Sequence, residues 1–138
     1  MYMLDTNICI YVLQNRTKRL RHRFKVEKDL CISSVTYAEL CFGIENSAPS
    51  LRSKRWEQLD LFTRLLHIEA LDWKTGRHYG QLRVRLKEQG VPIGNNDLFI
   101  ASHAQSMGAV LVTNNVREFS RVPDLKVENW LEGEPGVG

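Results

Sequence analysis

A parallel β-sheet covered by helices on both faces, an α/β fold, is what this chain predicts, and three observations predict it. Short apolar runs of strand length alternate with longer stretches of helical spacing. A parallel connection needs a crossover, and a helix is the usual one, so strict alternation points to parallel strands. Finally, 138 residues at 43% hydrophobic composition suit one domain with one real core.

The strand runs are "MYMLD" (1–5), "LCISS" (30–34), "LHIEAL" (66–71), "AVLVT" (109–113) and, least regular, "LKVENW" (125–130), several of them rich in β-branched residues. Helices are expected between them. Thr6 to about Leu13 is the first, followed by a basic segment. Val35 to about Asn46 is the second, entered through Ser33 and Ser34, good N-cap residues. Over 51–65, Leu51, Leu59, Phe62 and Leu65 recur at helical spacing around Trp56. Asp72 caps a further helix whose stripe is Tyr79, Leu82 and Leu86 and which Gly90 ends, and Asn96 to about Ser106 is the last. The domain is drawn at 1–131, and "EGEPGVG" (132–138) reads as a disordered tail.

Composition excludes several classes. Charged residues make up 25% of the chain, no run approaches the ~18 apolar residues of a membrane span, and the N-terminus lacks a basic-then-apolar secretion signal. A soluble, cytoplasmic protein is expected, with no membrane association. Cys9, Cys31 and Cys41 are odd in number, lie in apolar stretches and show no CxxC spacing, so they read as small core residues and not as a disulfide framework or zinc site. Net charge is only +3, but "RTKRLRHRFKVEK" (16–28) holds seven Lys and Arg against one Glu. That asymmetry suggests a polyanionic partner; a solvated helix face is the competing reading.

Sheets of this kind bind ligands beyond the carboxyl ends of their strands. Asp5 ends the first strand, Glu39 lies just over one turn into the helix after the second, and Asp97 opens the helix that follows "VPIGNN". Three carboxylates far apart in sequence are thus expected on one rim. Convergence of like charges is costly unless a cation neutralises them, and an all-oxygen set without supporting His or Cys selects Mg²⁺ or Mn²⁺ over Zn²⁺. Thr6 and Asn7 are placed to support Asp5, and "AVLVT" delivers Thr113 and then Asn114 and Asn115 to the same rim, Asn115 as a contributor through water. Each residue also has a plainer reading: Asp5 as a helix cap, Glu39 as a surface helix residue, Asp97 as a first-turn carboxylate favoured by the helix dipole, the asparagines as turn formers.

Taken together, "MLDTNICIYVL", "ISSVTYAEL", "PIGNNDLFIASHA" and "LVTNNVREFSRVPDLKVENW" resemble a PIN-domain ribonuclease of the VapC toxin type, in matching order over nearly the whole chain. The resemblance implies a three-layer α/β/α sandwich with a central, mainly parallel sheet. It implies a Mg²⁺- or Mn²⁺-dependent endoribonuclease, the toxin of a toxin–antitoxin pair, with Asp5, Glu39 and Asp97 on the family's first, second and third acids. The wider family often carries another acid where this chain has Asn115; with the amide there, the reading is one tightly held ion.

The expected reaction is hydrolysis of an RNA phosphodiester by a metal-activated water, with the carboxylates positioning the ion. The resemblance makes a tRNA anticodon loop the leading substrate, with single-stranded mRNA open. It also implies a homodimer, a VapB-type antitoxin, and operator DNA bound only through the antitoxin complex. Arg16, Lys18, Arg19, Arg21 and Arg23, with Arg52, Lys54 and Arg55 of "RSKR" (52–55), are the candidate phosphate contacts, and Trp56, Trp73 and Tyr79 are candidate base-stacking rings unless they pack in the core. The apolar stripe Trp56, Leu59, Phe62 is the candidate dimer surface. Two rivals remain: an RNA- or partner-binding module of this fold that does not cut, and a phosphatase with a strand-end Asp nucleophile. The latter normally needs a second acid two residues on, where Asn7 stands here.

Overall fold

The computed structural model describes residues 1–131; the expected tail, 132–138, lies outside the described residues. Five strands, β1 (Tyr2–Leu4), β2 (Leu30–Ser33), β3 (His67–Glu69), β4 (Val110–Val112) and β5 (Val127–Glu128), form one sheet in the order β3-β2-β1-β4-β5. All four pairings are parallel, as the alternation requires. The helices are α1 (Thr6–Leu13), α2 (Lys18–Val26), α3 (Ser34–Glu45), α4 (Pro49–Thr63), α5 (Trp73–Glu88), α6 (Asn95–Met107) and the single turn α7 (Val116–Phe119).

The period of two along each strand divides the interior into two cores. Met3, Cys31 and Leu111 point to a core shared with Leu82 and Leu86 of α5, Ile100, Ala101 and Ala104 of α6, and Phe119 of α7. Leu4, Leu30, Ile32 and Val112 point the other way, to Ile8 and Cys9 of α1, Leu20 of α2, Leu40 and Ile44 of α3, Leu59 and Phe62 of α4, and the fully buried Trp130. This is the three-layer α/β/α sandwich the resemblance implies.

One segment that the sequence left open is placed, and two expectations need correcting. The basic segment forms its own helix, α2, started by Thr17, whose hydroxyl accepts from the Leu20 N–H. Of the stripe drawn over 51–65, Leu59 and Phe62 are buried, whereas Leu51 and Leu65 are exposed. Because Leu59 and Phe62 fill this chain's own core and Trp56 packs against it, that stripe offers no dimer surface. "LHIEAL" yields only a three-residue edge strand with His67 and Ile68 exposed, since one of its sides has no neighbouring strand. The cysteines read correctly: Cys9 and Cys31 are buried and free, and Cys41 is half-buried and free. Gly90, at φ +70°, closes α5 in the left-handed conformation that glycine adopts without penalty. Among the described residues no helix is long and apolar enough to cross a membrane.

Sheet order fixes where a site belongs. The chain runs outward from β1 through β2 to β3, then returns to place β4 on the other side of β1. The helix after β1 packs on one face and the helix after β4 on the opposite face. The carboxyl ends of β1 and β4 therefore border the switch point, where such sheets open a crevice.

Candidate active site

Asp5 sits at that crevice, 4% exposed, with its N–H bonded to the Val112 carbonyl at 3.0 Å. It is a helix cap as well: its Oδ1 accepts from the Ile8 N–H at 2.9 Å. The Asn7 backbone N–H and the Thr113 hydroxyl also bond the carboxylate, so Asn7 acts through its main chain while its side chain is exposed. Thr113, itself fully buried, is fixed by accepting from the Asn115 N–H at 2.9 Å. Burial nevertheless outweighs these donors and, with the nearby charge of Glu39, lifts the Asp5 pKa from 3.8 to about 6.

Glu39 projects from α3 onto the same rim, where Thr6 donates to its Oε1 at 2.6 Å and Asn96 donates to its Oε2 at 3.3 Å. Its two partners are the chain neighbours of Asp5 and Asp97, which places Glu39 between them. Asp97 is not a cap. Helix α6 begins one residue earlier than expected, Gly94 is its N-cap, and no side chain caps it, so Asp97 is free to face the crevice from the first turn. Its pKa is also raised to about 6, by burial first and then by the charges of Glu118, Asp5 and Glu39.

Glu118 was missed by the sequence reading. It lies on α7, accepts from the Asn115 Nδ2 at 2.7 Å, and its charge is the largest of the carboxylate charges that push up the Asp97 pKa. Asn115 thus orients a fourth acid. The rim rule applied to the fourth strand would have found it, since "NNVREF" puts Glu118 just past the end of β4.

Three segments of chain therefore bring Asp5, Glu39 and Asp97 into mutual electrostatic contact, with Glu118 added by a fourth. None of the four forms a salt bridge among the described residues, so the charge is uncompensated from within. As placed, no three His, Cys, Asp or Glu side chains among the described residues form a ready ligand set. The donors are hard oxygens in excess of any local cation, which is the chemistry that Mg²⁺ or Mn²⁺ satisfies, and the residues fit such an ion on that ground.

The basic candidates divide. Arg23 is taken up by the fold: it pairs with Glu27 at 3.2 Å and Glu128 at 3.1 Å and lies over the Trp130 ring, because its half-buried position at the β5 end requires countercharge. Arg21 bonds the Thr17 carbonyl, and Arg16 stacks on Tyr11. Lys18 and Arg19 lie on the exposed side of α2, Arg52 is half-buried on α4, and Lys54 and Arg55 are exposed there. Arg55 lines a groove between α1, α3 and α4 that also contains Glu39. Of the aromatics, Trp56 and Tyr79 pack against the cores and Trp73 is 76% exposed.

The PIN domain family profile matches residues 2–125. The chain is 40% identical over 130 residues to the tRNA(fMet)-specific endonuclease VapC of Salmonella typhimurium, covering 94% of this chain and 97% of that one. It is 43% identical over 137 residues to ribonuclease VapC1 of Haemophilus influenzae, covering 95% and 98%. Among solved structures, DNA-bound VapBC from Salmonella typhimurium superposes with a TM-score of 0.88 at 39% identity, covering 94% of this chain and 97% of that one.

Proposed function

Because the chain belongs to the PIN-domain family, we propose that it is an endoribonuclease that cuts RNA with a Mg²⁺ or Mn²⁺ ion held by Asp5, Glu39 and Asp97, and that it is the toxin of a toxin–antitoxin pair. The observation that carries this reading is the convergence of those uncompensated carboxylates on the switch point, with Asp5 and Asp97 both pushed up to about 6.

When bound, a divalent ion supplies Lewis acidity, lowering the pKa of a water in the crevice and offsetting charge that builds on the phosphate. The protein supplies position. Asp5 is clamped by two backbone N–H groups and Thr113, and Glu39 by Thr6 and Asn96, so neither carboxylate swings freely. Without a cation this acidic rim repels phosphate, so the reacting phosphate settles there more readily once that charge is balanced.

The Salmonella relative is named for tRNA(fMet), which supports a tRNA as the substrate; the family resemblance makes its anticodon loop the place of the cut. The VapBC neighbour supports a VapB-type antitoxin as partner, with operator DNA bound through that complex. A homodimer and a cytoplasmic location complete the proposal. The test follows cleavage of total tRNA with Mg²⁺ or Mn²⁺, with EDTA, and with Asp97→Asn. Full activity in EDTA, or an unimpaired variant, refutes the metal-dependent reading.

A further inference from the structure

Three consecutive side chains in the first turn of α6 leave the helix about 100° apart. Asp97 faces Asp5 and Glu118, Asn96 donates to Glu39, and Asn95 accepts from the Tyr79 hydroxyl at 2.5 Å. Tyr79 is itself held, its ring stacked on Phe99 with centroids 4.2 Å apart. Its hydroxyl also accepts from Arg83 Nη1 at 2.8 Å. An arginine on an open helix face ordinarily samples many rotamers; this one is tethered through Tyr79 and Asn95 to the turn that carries Asp97.

Beside Arg83 runs a groove of about 330 Å³ with Lys87, one turn along α5, and Asn95 in its walls and Leu86, Pro92 and Ile93 as apolar lining. It holds two cations and no carboxylate, and neither cation forms a salt bridge among the described residues. The other flank of α5 differs: there Arg85 shares its groove with Glu88 and Asp124. The α2 segment also has a basic groove, lined by Lys18, Arg21, His22 and Lys25, but nothing there among the described residues ties a cation to the turn that carries Asp97: Arg21 bonds the Thr17 carbonyl of its own helix start, and Arg16 and Arg23 lie over Tyr11 and Trp130.

We infer that Arg83, anchored by Tyr79 and followed by Lys87, holds RNA backbone phosphates next to the one being cut, making this flank of α5 a substrate track on the Asp97 side of the crevice. The inference rests on the ribonuclease reading and adds positioning residues to it. Charge complementarity selects the occupant: a groove whose only charged side chains are cations, beside an acidic rim, suits a polyanion whose reacting phosphate lies at the rim and whose neighbours need countercharge.

The experiment uses the Asp97→Asn chain in EDTA, so that nothing is cut, and titrates it with total tRNA over a salt series. Arg83→Ala is expected to weaken binding about 3- to 5-fold and to lower the slope of log affinity against log salt by about 0.7, one single-strand phosphate contact. Arg83→Lys keeps the charge and therefore the slope, while losing part of the affinity. Tyr79→Phe keeps the stack on Phe99 and the slope but frees Arg83, with a similar partial loss. In the active chain the same variants should raise KM with little change in kcat. Unchanged affinity and slope in Arg83→Ala, with Asp97→Asn still blocking cleavage, overturns the inference and leaves the ribonuclease reading standing. Failure of the wild-type chain to cut either tRNA or mRNA in Mg²⁺ or Mn²⁺ removes that reading and the inference with it.

Discussion

Two polar clusters stand at the carboxyl ends of the neighbouring strands β1 and β2, and they are built to one plan. Asp5 ends β1 and caps α1; Ser33 ends β2 and caps α3, accepting from the Val35 N–H at 3.1 Å. Each then meets a residue of α6, Asp97 in the first case and His103 in the second. The Ser33–His103 pair is closed: Ser33 is fully buried and His103 is 2% exposed, with Oγ and Nδ1 2.8 Å apart. The ring also bonds the Ala70 backbone, so every polar atom is satisfied if Ser33 donates to Nδ1 and the other ring N–H is given to Ala70. Burial pushes the His103 pKa down, which keeps the ring neutral despite Glu69 and Asp72 nearby. In the Asp5 cluster the hydrogen bonds are as good, yet like charges face one another. A buried polar cluster thus points to a site where its charge is left unbalanced, whereas a satisfied one is architecture.

The largest test of that contrast is Asp97→Asn. It keeps shape and removes one charge, and since Asp97 caps nothing, the helix loses no cap. Cleavage should fall by at least about 100-fold. Melting temperature in EDTA should stay level or rise, because repulsion is relieved. A large drop in stability would show Asp97 to be structural.

The two clusters should also respond to pH in opposite directions. For the ion-free chain, the folded state holds protons on Asp5 and Asp97 up to about pH 6 that the unfolded state releases near 3.8, so their contribution to stability falls as pH rises between those values. For Asp5 this amounts to about 3 kcal/mol, and adding Mg²⁺ or Mn²⁺ at neutral pH should recover much of it. His103 has the reverse sign: its pKa is lowered from 6.5, so its contribution is full above that value and is lost as pH falls below it. Thermal melts of wild type, Asp97→Asn and His103→Gln across pH 4–8 separate the two, and a single common slope would erase the distinction.

Ser33→Ala probes the closed cluster directly. Removing the hydroxyl strips α3 of its cap and leaves His103 Nδ1 without a partner, at a cost of about 1–3 kcal/mol. Cleavage per folded molecule, measured at a temperature where both proteins are native, should stay within about twofold of wild type. A larger deficit would move Ser33 into the catalytic apparatus.

The smallest expected difference separates the two roles of Asp5. Asp5→Asn and Asp5→Ala should both abolish cleavage, but Asn still caps α1 and Ala does not, so the alanine variant should be the less stable by about 1 kcal/mol in urea denaturation. Equal stabilities would mean that the contact to Ile8 contributes nothing measurable.

The sequence alone determined the features that depend on near neighbours. Alternating apolar runs and helical stripes gave the parallel sandwich, Ser33 and Asp5 sit at caps where their side chains satisfy N–H groups two or three residues on, and Gly90 ends α5 because of its own backbone freedom. The rim rule extended that to Asp5, Glu39 and Asp97, since a residue's place at a strand end or a helix start is itself local. The tertiary structure decided which groups balance one another. Glu118 joins the carboxylates only because β4 lies beside β1, and Arg23 is withdrawn from the surface by Glu128, 105 residues away. Arg83 gains a fixed position because α5 packs against α6. Charges and hydrogen bonds act through space over a few ångströms, and only the folded chain sets those distances between residues that the sequence holds far apart.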